Sequence, residues 1–280
     1  MKKLFYILCL ILVSGLISCT DVIDVELQEE DPRLVVEASI DWKKGTAGNQ
    51  QRIKLSLSPP YYETLNEVIV TGAAVRVINN SDQTSVVFVD QNDGFYTTDE
   101  FVPVMLQTYT LEIIYEDEVY LAQEVMTPVP VIDEVFQSTE NGFDKNALEV
   151  NVRWRDPADV DNYYLSRFQR RGDLLQTLFD VDDEFTNGND ITLIYEKFTD
   201  EDTGEEEFQP GDIVDIALHG ISQQYFNYIR ILIEQGGGAG PFSTIPAEIK
   251  GNCINTSNKA NYAFGYFRLT EVDERVYEFQ

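Results

Sequence analysis

Apolar and polar residues alternate at every second position through long stretches of this chain, and this alternation limits the fold to one built mainly from half-buried strands. The first stretch has Ser39 and Asp41 on its polar face, and its other face carries Leu34, Val36, Ala38, Ile40 and Trp42. Successive side chains of a strand point to opposite faces, so one face packs on a core and the other meets water. Similar stretches follow at 52–57, 75–77, 109–115 and 148–155.

The spacing of these strands predicts a mainly β fold in two parts. Residues 33–127 are predicted to form an immunoglobulin-like β-sandwich, because short strands alternate there with turn-forming residues. The linker is expected at Thr127-Pro128-Val129-Pro130, since proline cannot donate a hydrogen bond inside a central strand. Residues 128–280 are predicted to form a second β-rich domain, with strands at 161–170, 174–180, 191–198, 212–219 and 262–269.

One helix is predicted in the second domain, near residues 222–234. Ser222 is expected to be its N-cap, because a serine side chain can accept a hydrogen bond from a free N–H of the first turn. The predicted apolar face of this helix carries Tyr225, Ile229, Leu232 and Ile233. Gly236 is the predicted stop, since glycine tolerates the backbone conformation that ends a helix.

The first eighteen residues are predicted to be a lipoprotein signal peptide. Lys2 and Lys3 precede an uncharged apolar run at 4–17, whose length as a helix is about 21 Å against a bilayer core of about 30 Å. The run ends in Leu16-Ile17-Ser18-Cys19, which resembles a bacterial lipobox. We therefore expect an acyl chain such as palmitate on Cys19, followed by an acidic tether over 19–32. The alternative is an ordinary secretory signal with a chance cysteine.

The lipobox predicts a location in the cell envelope. Thr20 follows Cys19 in place of the aspartate that often marks inner-membrane retention, so we expect the outer membrane. Whether the chain faces the periplasm or the cell surface is left open. Cys9 would leave with the signal and Cys19 would carry lipid, so Cys253 would have no cysteine partner for a disulfide. We predict that Cys253 is buried and inert.

The charge of the chain excludes nucleic acid as a partner. The 280 residues include 20 Lys+Arg against 49 Asp+Glu, for a net charge of −29. Loss of Lys2 and Lys3 with the signal would change it to −31. Nucleic-acid binding needs basic residues to neutralise phosphates, and the sequence has no basic stripe. One histidine and three cysteines also exclude most zinc sites.

Several short motifs, in order, resemble a large family of Bacteroidetes lipoproteins known as domain of unknown function 4249. They run from Val22-Ile23-Asp24-Val25 and Arg33-Leu34-Val35-Val36-Glu37, through Asp93-Gly94-Phe95-Tyr96 and Trp154-Arg155-Asp156-Pro157, to Gly240-Pro241-Phe242-Ser243 and Gly265-Tyr266-Phe267. The resemblance covers nearly the whole chain after Cys19. The family has no established activity. Its members are often encoded beside TonB-dependent outer-membrane transporters, so the resemblance implies an accessory role next to such a transporter.

Two motifs that suggest catalysis have simpler interpretations. His219 is the sole imidazole, with Ser222 three residues on, but a serine hydrolase needs a nucleophile elbow and no G-x-S-x-G is present. We expect a structural or exposed histidine. Gly236-Gly237-Gly238-Ala239-Gly240 follows the predicted helix instead of preceding one, and it lacks the Gly-Lys-Ser/Thr of a phosphate-binding loop. It is interpreted as a connector.

Two acidic runs are weak candidates for calcium, which binds carboxylate oxygens. The candidate ligands are Asp200 and Asp202 in the run 196–207, and Asp180 and Asp182 in the run 180–184. Neither run has the ligand order of an EF-hand, so solvated hairpin tips are the alternative. No other cofactor is predicted apart from the covalent lipid. Paired carboxylates for glycoside hydrolysis stay open, because their separation is a three-dimensional property.

Aromatic residues offer a second kind of binding surface. Exposed rings bind flat apolar faces of sugars or peptides, and the candidates are Tyr61-Tyr62, Tyr163-Tyr164, Tyr225, Phe226 and Tyr228. The alternative is that these rings fill the core between sheet and helix. We predict a non-enzymatic binding or accessory lipoprotein of the outer membrane. An envelope hydrolase acting on glycans or peptides, or a purely structural envelope protein, are the alternatives.

Overall fold

The predicted fold class is confirmed: the protein is mainly β, with sheets packed as sandwiches. A computed structural model describes residues 31–59, 67–199, 206–236 and 249–280. Residues 32–280 form one compact unit. In the described ranges one helix is present, and no helix there is long and apolar enough to cross a bilayer.

Within residues 31–59 and 67–127, eight strands precede the predicted linker, and they are numbered in chain order. They are β1 (Leu34–Lys43), β2 (Gln51–Leu57), β3 (Val68–Ile69), β4 (Ala74–Asn79), β5 (Ser85–Asp90), β6 (Phe95–Thr98), β7 (Thr108–Tyr115) and β8 (Glu118–Val125). The remaining elements are β9 (Ile132–Ser138), β10 (Glu149–Arg155), β11 (Tyr163–Arg170), β12 (Thr177–Asp182), β13 (Asp190–Glu196), β14 (Ile213–Ile221), α1 (Gln223–Gly236), β15 (Ile254–Asn255) and β16 (Phe264–Glu278).

The first eight strands form an N-terminal sandwich, as the alternation predicts. One layer contains β1, β2 and β6, and the other contains β4, β7 and β8, while β5 pairs with both β4 and β6. Val36, Ala38 and Ile40 are fully buried in the core between the layers. Burial of such apolar surface stabilises the fold by roughly 25 cal/mol per Å².

A second sandwich follows with its own core. Strands β12, β11, β14 and β16 form one layer in that order, and β13, β10 and β9 form the other. Trp154 is fully buried between them and its ring meets that of Tyr164 edge-on at 5.5 Å. Trp154 and its apolar neighbours on β10 therefore face this core as the alternation at 148–155 predicts.

One long strand, β16, belongs to both sandwiches. Its first half pairs in parallel with β1, from Val35 opposite Phe264 to Lys43 opposite Val272. Its second half pairs antiparallel with β14, ending with Ile213 opposite Glu278. The predicted last strand at 262–269 is therefore too short by nine residues. The second half was missed because charged residues such as Asp273, Glu274 and Arg275 interrupt its apolar alternation.

The predicted domain boundary lies where the two sandwiches meet, and the linker itself contacts β16. The amide N–H of Val129 donates to Glu271 at 3.0 Å, and that of Ile132 donates to Asp273 at 2.6 Å. Residues 249–269 also return to the N-terminal core, which includes Cys253 and Phe267. That residues 33–127 can be separated from 128–280 stays a prediction. Because β16 pairs with β1 and with β14, a test must ask whether the two parts stay together after the linker is cut.

The predicted helix near 222–234 is confirmed as α1. The N–H of Tyr225 donates to Ser222 Oγ at 3.1 Å, so Ser222 is the N-cap. Tyr225, Phe226 and Ile229 are buried against the sheet. The helix therefore covers the outer face of β11 and β16 beside the junction of the two sandwiches.

Candidate functional site

An open groove of about 890 Å³ runs across the outer face of the N-terminal sandwich. Its floor is formed by polar positions of β1, β2 and β6, and its wall by β5. Among its residues are Asp41, Arg52, Val87, Val89 and Thr97. Val87 and Val89 are more than half exposed, because Phe88 between them points into the core. The groove thus offers hydrogen-bonding groups and an apolar strip on a rigid sheet.

Two charged residues of the groove, Asp41 and Arg52, already have partners. Arg268 Nη2 lies 2.7 Å from Asp41 Oδ1, and the Arg268 guanidinium lies 5.2 Å from the ring centroid of Tyr225. The guanidinium of Arg52 lies 5.3 Å from the ring of Phe95. The sequence places Asp41 on the polar face of β1. It gives no signal for Arg268, because Arg268 lies 227 positions later in the chain, on the strand β16 that pairs with β1.

His219 is a structural histidine that is buried inside β14. Its side chain has only 3% exposure, with Nδ1 3.1 Å from the Leu165 carbonyl and Nε2 4.0 Å from Asp41. Burial, reinforced by the nearby charge of Arg268, lowers the pKa of His219 to about 4. At neutral pH the imidazole is uncharged, and within the described ranges no hydroxyl is hydrogen-bonded to it. It cannot activate Ser222.

Ser222 instead takes part in a buried polar group beneath α1. Its hydroxyl donates to Glu124 at 2.8 Å, and the Tyr266 hydroxyl donates to the same carboxylate oxygen at 3.2 Å. Burial raises the pKa of Glu124 despite these hydrogen bonds. The contacts join β8, α1 and β16, so this group connects the two sandwiches and has no exposed nucleophile.

The two described calcium candidates, Asp180 and Asp182, are paired with a guanidinium. Asp180 and Asp182 both face Arg230 on α1, with Arg230 Nε 2.7 Å from Asp180 and Arg230 Nη2 3.3 Å from Asp182. Asp200 and Asp202 lie outside the described residues. Among the described side chains, no group of three or more carboxylates, thiols or imidazoles is arranged to hold a metal ion. Calcium binding stays a prediction that these contacts do not favour.

One pair of carboxylates does come together. Glu149 on β10 lies directly opposite Glu196 on β13. Glu149 is fully buried, and Gly142 of the β9–β10 loop sits against both side chains. Burial raises the pKa of Glu149, but hydrogen bonds from Ser138, Asn141 and Asn151 outweigh it and lower the pKa overall. The pair therefore lies beneath the β9–β10 loop.

The described aromatic candidates mostly fill cores. The rings of Tyr163 and Phe226 lie 4.9 Å apart at a tilt of 47°. The rings of Tyr225 and Tyr228 lie 4.9 Å and 4.7 Å from that of Tyr266. This is the alternative that the sequence left open. Tyr61-Tyr62 and the connector glycines Gly237, Gly238 and Gly240 lie outside the described residues.

The predicted burial of Cys253 is confirmed. Its burial raises the thiol pKa to about 12. A raised pKa favours the protonated thiol over the nucleophilic thiolate. That Cys253 is inert stays a prediction, and this shift is consistent with it.

Comparison with known proteins finds one matching family model. The model of the family described as Domain of unknown function (DUF4249) matches residues 20–275. No curated protein matches the chain. Among solved structures, a two fibronectin type-III domain segment from chicken tenascin is 8% identical, over 69% of this chain and 90% of that one, with a TM-score of 0.21. A cytokine receptor complex is 7% identical, over 67% and 82%, with a TM-score of 0.25.

Proposed function

We propose a function for this chain, which belongs to the family described as Domain of unknown function (DUF4249): it is a lipoprotein anchored in the outer membrane that binds a partner and catalyses no reaction. The observation that carries the anchor is Leu16-Ile17-Ser18-Cys19 after a short apolar run. A thioether to diacylglycerol forms on a cysteine sulfur, and stable anchoring takes more than one acyl chain.

The contacts of the candidate catalytic residues support binding over hydrolysis. His219 is buried and uncharged at neutral pH, while Ser222 caps α1 and donates to Glu124. Glu149 and Glu196 lie under a loop. A hydrolase requires its nucleophile or acid within hydrogen-bond reach of a substrate, whereas the groove beside Val87 and Val89 has the exposed polar and apolar groups of a binding surface.

The family resemblance supplies the kind of partner, a TonB-dependent outer-membrane transporter. Two physical features are consistent with an accessory subunit beside it. A lipid anchor keeps the chain at high local concentration near membrane proteins, so a modest interface is sufficient for binding. The net charge of −31 after removal of residues 1–18 favours a partner with basic residues and disfavours anionic lipid head groups.

Two measurements test the proposal. Mass spectrometry of the N-terminal peptide from membranes should show acyl mass on Cys19, and Cys19→Ala should abolish it while Cys9→Ala leaves it unchanged. Mild crosslinking and affinity purification from detergent-solubilised outer membranes should recover a transporter. An unmodified Cys19 would contradict the anchor, and turnover of a glycan or peptide panel by the purified chain would replace the binding role with a hydrolase.

A further inference from the structure

Three loops meet at one end of the second sandwich, the end at which β16 finishes. They are the β9–β10 loop at 139–148, the β11–β12 loop at 171–176 and the described parts of the β13–β14 connection at 197–199 and 206–212. Thr177 Oγ1 lies 2.9 Å from the Tyr195 hydroxyl, so the second and third of these loops lie side by side. The Lys197 ammonium also pairs with Asp173.

Large apolar side chains are exposed on these three loops. Leu174 is 99% exposed, Leu175 83%, Phe143 90% and Phe198 52%. The rings of Phe143 and Phe198 lie 6.1 Å apart, and Leu174 follows Asp173, which is paired with Lys197 next to Phe198. We call these four residues the apolar tip. Single exposed apolar residues are ordinary, but a group of them on adjoining loops marks an interaction site.

The loop that carries Phe143 is held in place by the buried carboxylate pair. The N–H groups of Phe143 and Asp144 donate to Glu196 at 2.6 and 3.0 Å, and that of Asn141 donates to Glu149 at 2.9 Å. Hydrogen bonds from backbone N–H groups to carboxylates are among the stronger hydrogen bonds in proteins. The loop is therefore ordered before any partner arrives, which lowers the entropic cost of binding.

The surroundings of the apolar tip are acidic. Glu140 and Asp144 are exposed on the first loop, and the pairing of Leu148 with Phe208 brings Glu206 and Glu207 beside it. Besides the buried Lys197, the described parts of these loops carry two cations: Lys145, which donates to the carbonyls of Glu140 and Gly142, and Arg171, which is paired with Asp215. The exposed carboxylates outnumber the exposed cations around the tip. A complementary surface must therefore combine an apolar centre with lysine or arginine around it.

From this arrangement we propose that the apolar tip is the docking surface for an envelope protein whose contact surface is apolar and surrounded by basic residues. The inference rests on the proposed binding function and names the surface and the chemistry of the partner. The tip lies at the opposite end of β16 from Leu34, where the chain from Cys19 enters the sandwich. Fifteen strand residues span about 46–50 Å, which separates the tip from the end of the sandwich where Leu34 lies.

Charge argues against two other occupants. A second copy of this chain would bring the same acidic residues against the tip, and like charges across an interface oppose association. An anionic membrane surface would be repelled for the same reason. The groove is a weaker candidate than the tip, because its Asp41 is already paired with Arg268 and its Arg52 already contacts Phe95.

The test places a photo-crosslinking amino acid at Leu174 in the full lipidated chain and irradiates outer membranes of the source cells. The same amino acid at Phe185, which is 89% exposed on the β12–β13 loop at the other end of this sandwich, is the matched control. The proposal predicts a crosslink from Leu174 alone, to a peptide that combines apolar residues with lysine or arginine. It also predicts that recovery falls as salt rises, since exposed charges are screened within about 8–10 Å.

A variant that combines Phe143→Ser, Leu174→Ser and Leu175→Ser should lower partner recovery tenfold or more, roughly the effect of removing a central interface side chain, while Phe185→Ser leaves it unchanged. If the triple variant and Phe185→Ser recover equal amounts of partner, the proposed docking surface is overturned, while the proposed binding function is not contradicted. Failure of the wild type to recover any partner would contradict the binding function as well. Crosslinking of Leu174 to a second copy or to lipid would also overturn the proposal.

Discussion

Arg268 on the last strand donates to Asp41 on the first at 2.7 Å, although 227 positions separate them in the chain. Arg268 is almost fully buried and also lies over the ring of Tyr225 on α1. One ion pair thus joins β1, β16 and the helix at the junction of the two sandwiches. Removal of one partner of such a pair leaves a charge in a poorly solvated place.

Asp41→Asn should lower the free energy of unfolding by about 1.5–3 kcal/mol, because a buried guanidinium loses the carboxylate that accepts from it. Asp190→Asn is the matched control, since its partner Arg155 is well exposed and such pairs contribute about 0–1 kcal/mol. Urea unfolding of both variants measures the difference. Equal losses would show that the Asp41–Arg268 pair has no special role at the junction.

His219 should make the fold sensitive to acid. Its folded pKa is about 4, below the ordinary value of 6.5, so its contribution to stability is fully present above pH 6.5 and is lost as pH falls toward 4. The loss should be about 1.4 kcal/mol for each pH unit between the two values. Proton NMR of the sole imidazole should find the low pKa, and His219→Asn should remove that part of the slope. A midpoint near 6.5 in the folded protein would contradict the assignment.

Gly265→Ala tests the close approach of β16 to β1. Gly265 has φ +83°, and a Cβ there would overlap the carbonyl oxygen of Val36. We expect a loss of roughly 3 kcal/mol or more, from backbone strain and the clash together. Gly211→Ala is the control, because Gly211 has φ +94° with open space around its Cβ position and should lose only about 1–2 kcal/mol. Thermal unfolding separates the two, and similar melting temperatures would argue against the parallel pairing.

Proteolysis at the predicted linker should cut the chain without separating its fragments. Pro128 and Val131 are exposed, whereas β16 pairs with β1 on one side of the cut and with β14 on the other. Fragments cut at 127–133 should therefore co-elute in native size-exclusion chromatography and separate in denaturant. Elution of a folded 33–127 fragment by itself would mean that the N-terminal sandwich does not need β16.

Sequence reasoning predicted the parts of the fold whose signals are local. Alternation at Val36, Ala38 and Ile40 predicts the buried face of β1, and Ser222 with its following apolar stripe predicts α1. These patterns reflect side-chain direction and helix capping, which depend on near neighbours in the chain.

The long-range relationships could not be predicted in the same way. Pairing of Val36 with Gly265 depends on which of many compatible strands meet in space, and the polar second half of β16 resembles a loop in a one-dimensional pattern. The apolar tip has no sequence signature either. Phe143 lies in a turn-rich segment, and Leu174 begins the predicted strand 174–180, which is wrong at its start because β12 begins only at Thr177.

The most direct test of the central claim, an anchored binding subunit, is crosslinking in intact cells with the wild type and Cys19→Ala compared at equal expression. The account predicts a stoichiometric envelope partner for the wild type, and a loss of tenfold or more for Cys19→Ala, because removing the anchor removes the local concentration that supports a modest interface. Similar recovery from the unanchored variant would contradict the role of the anchor. Reproducible recovery of the wild type with no envelope partner would contradict the binding function itself.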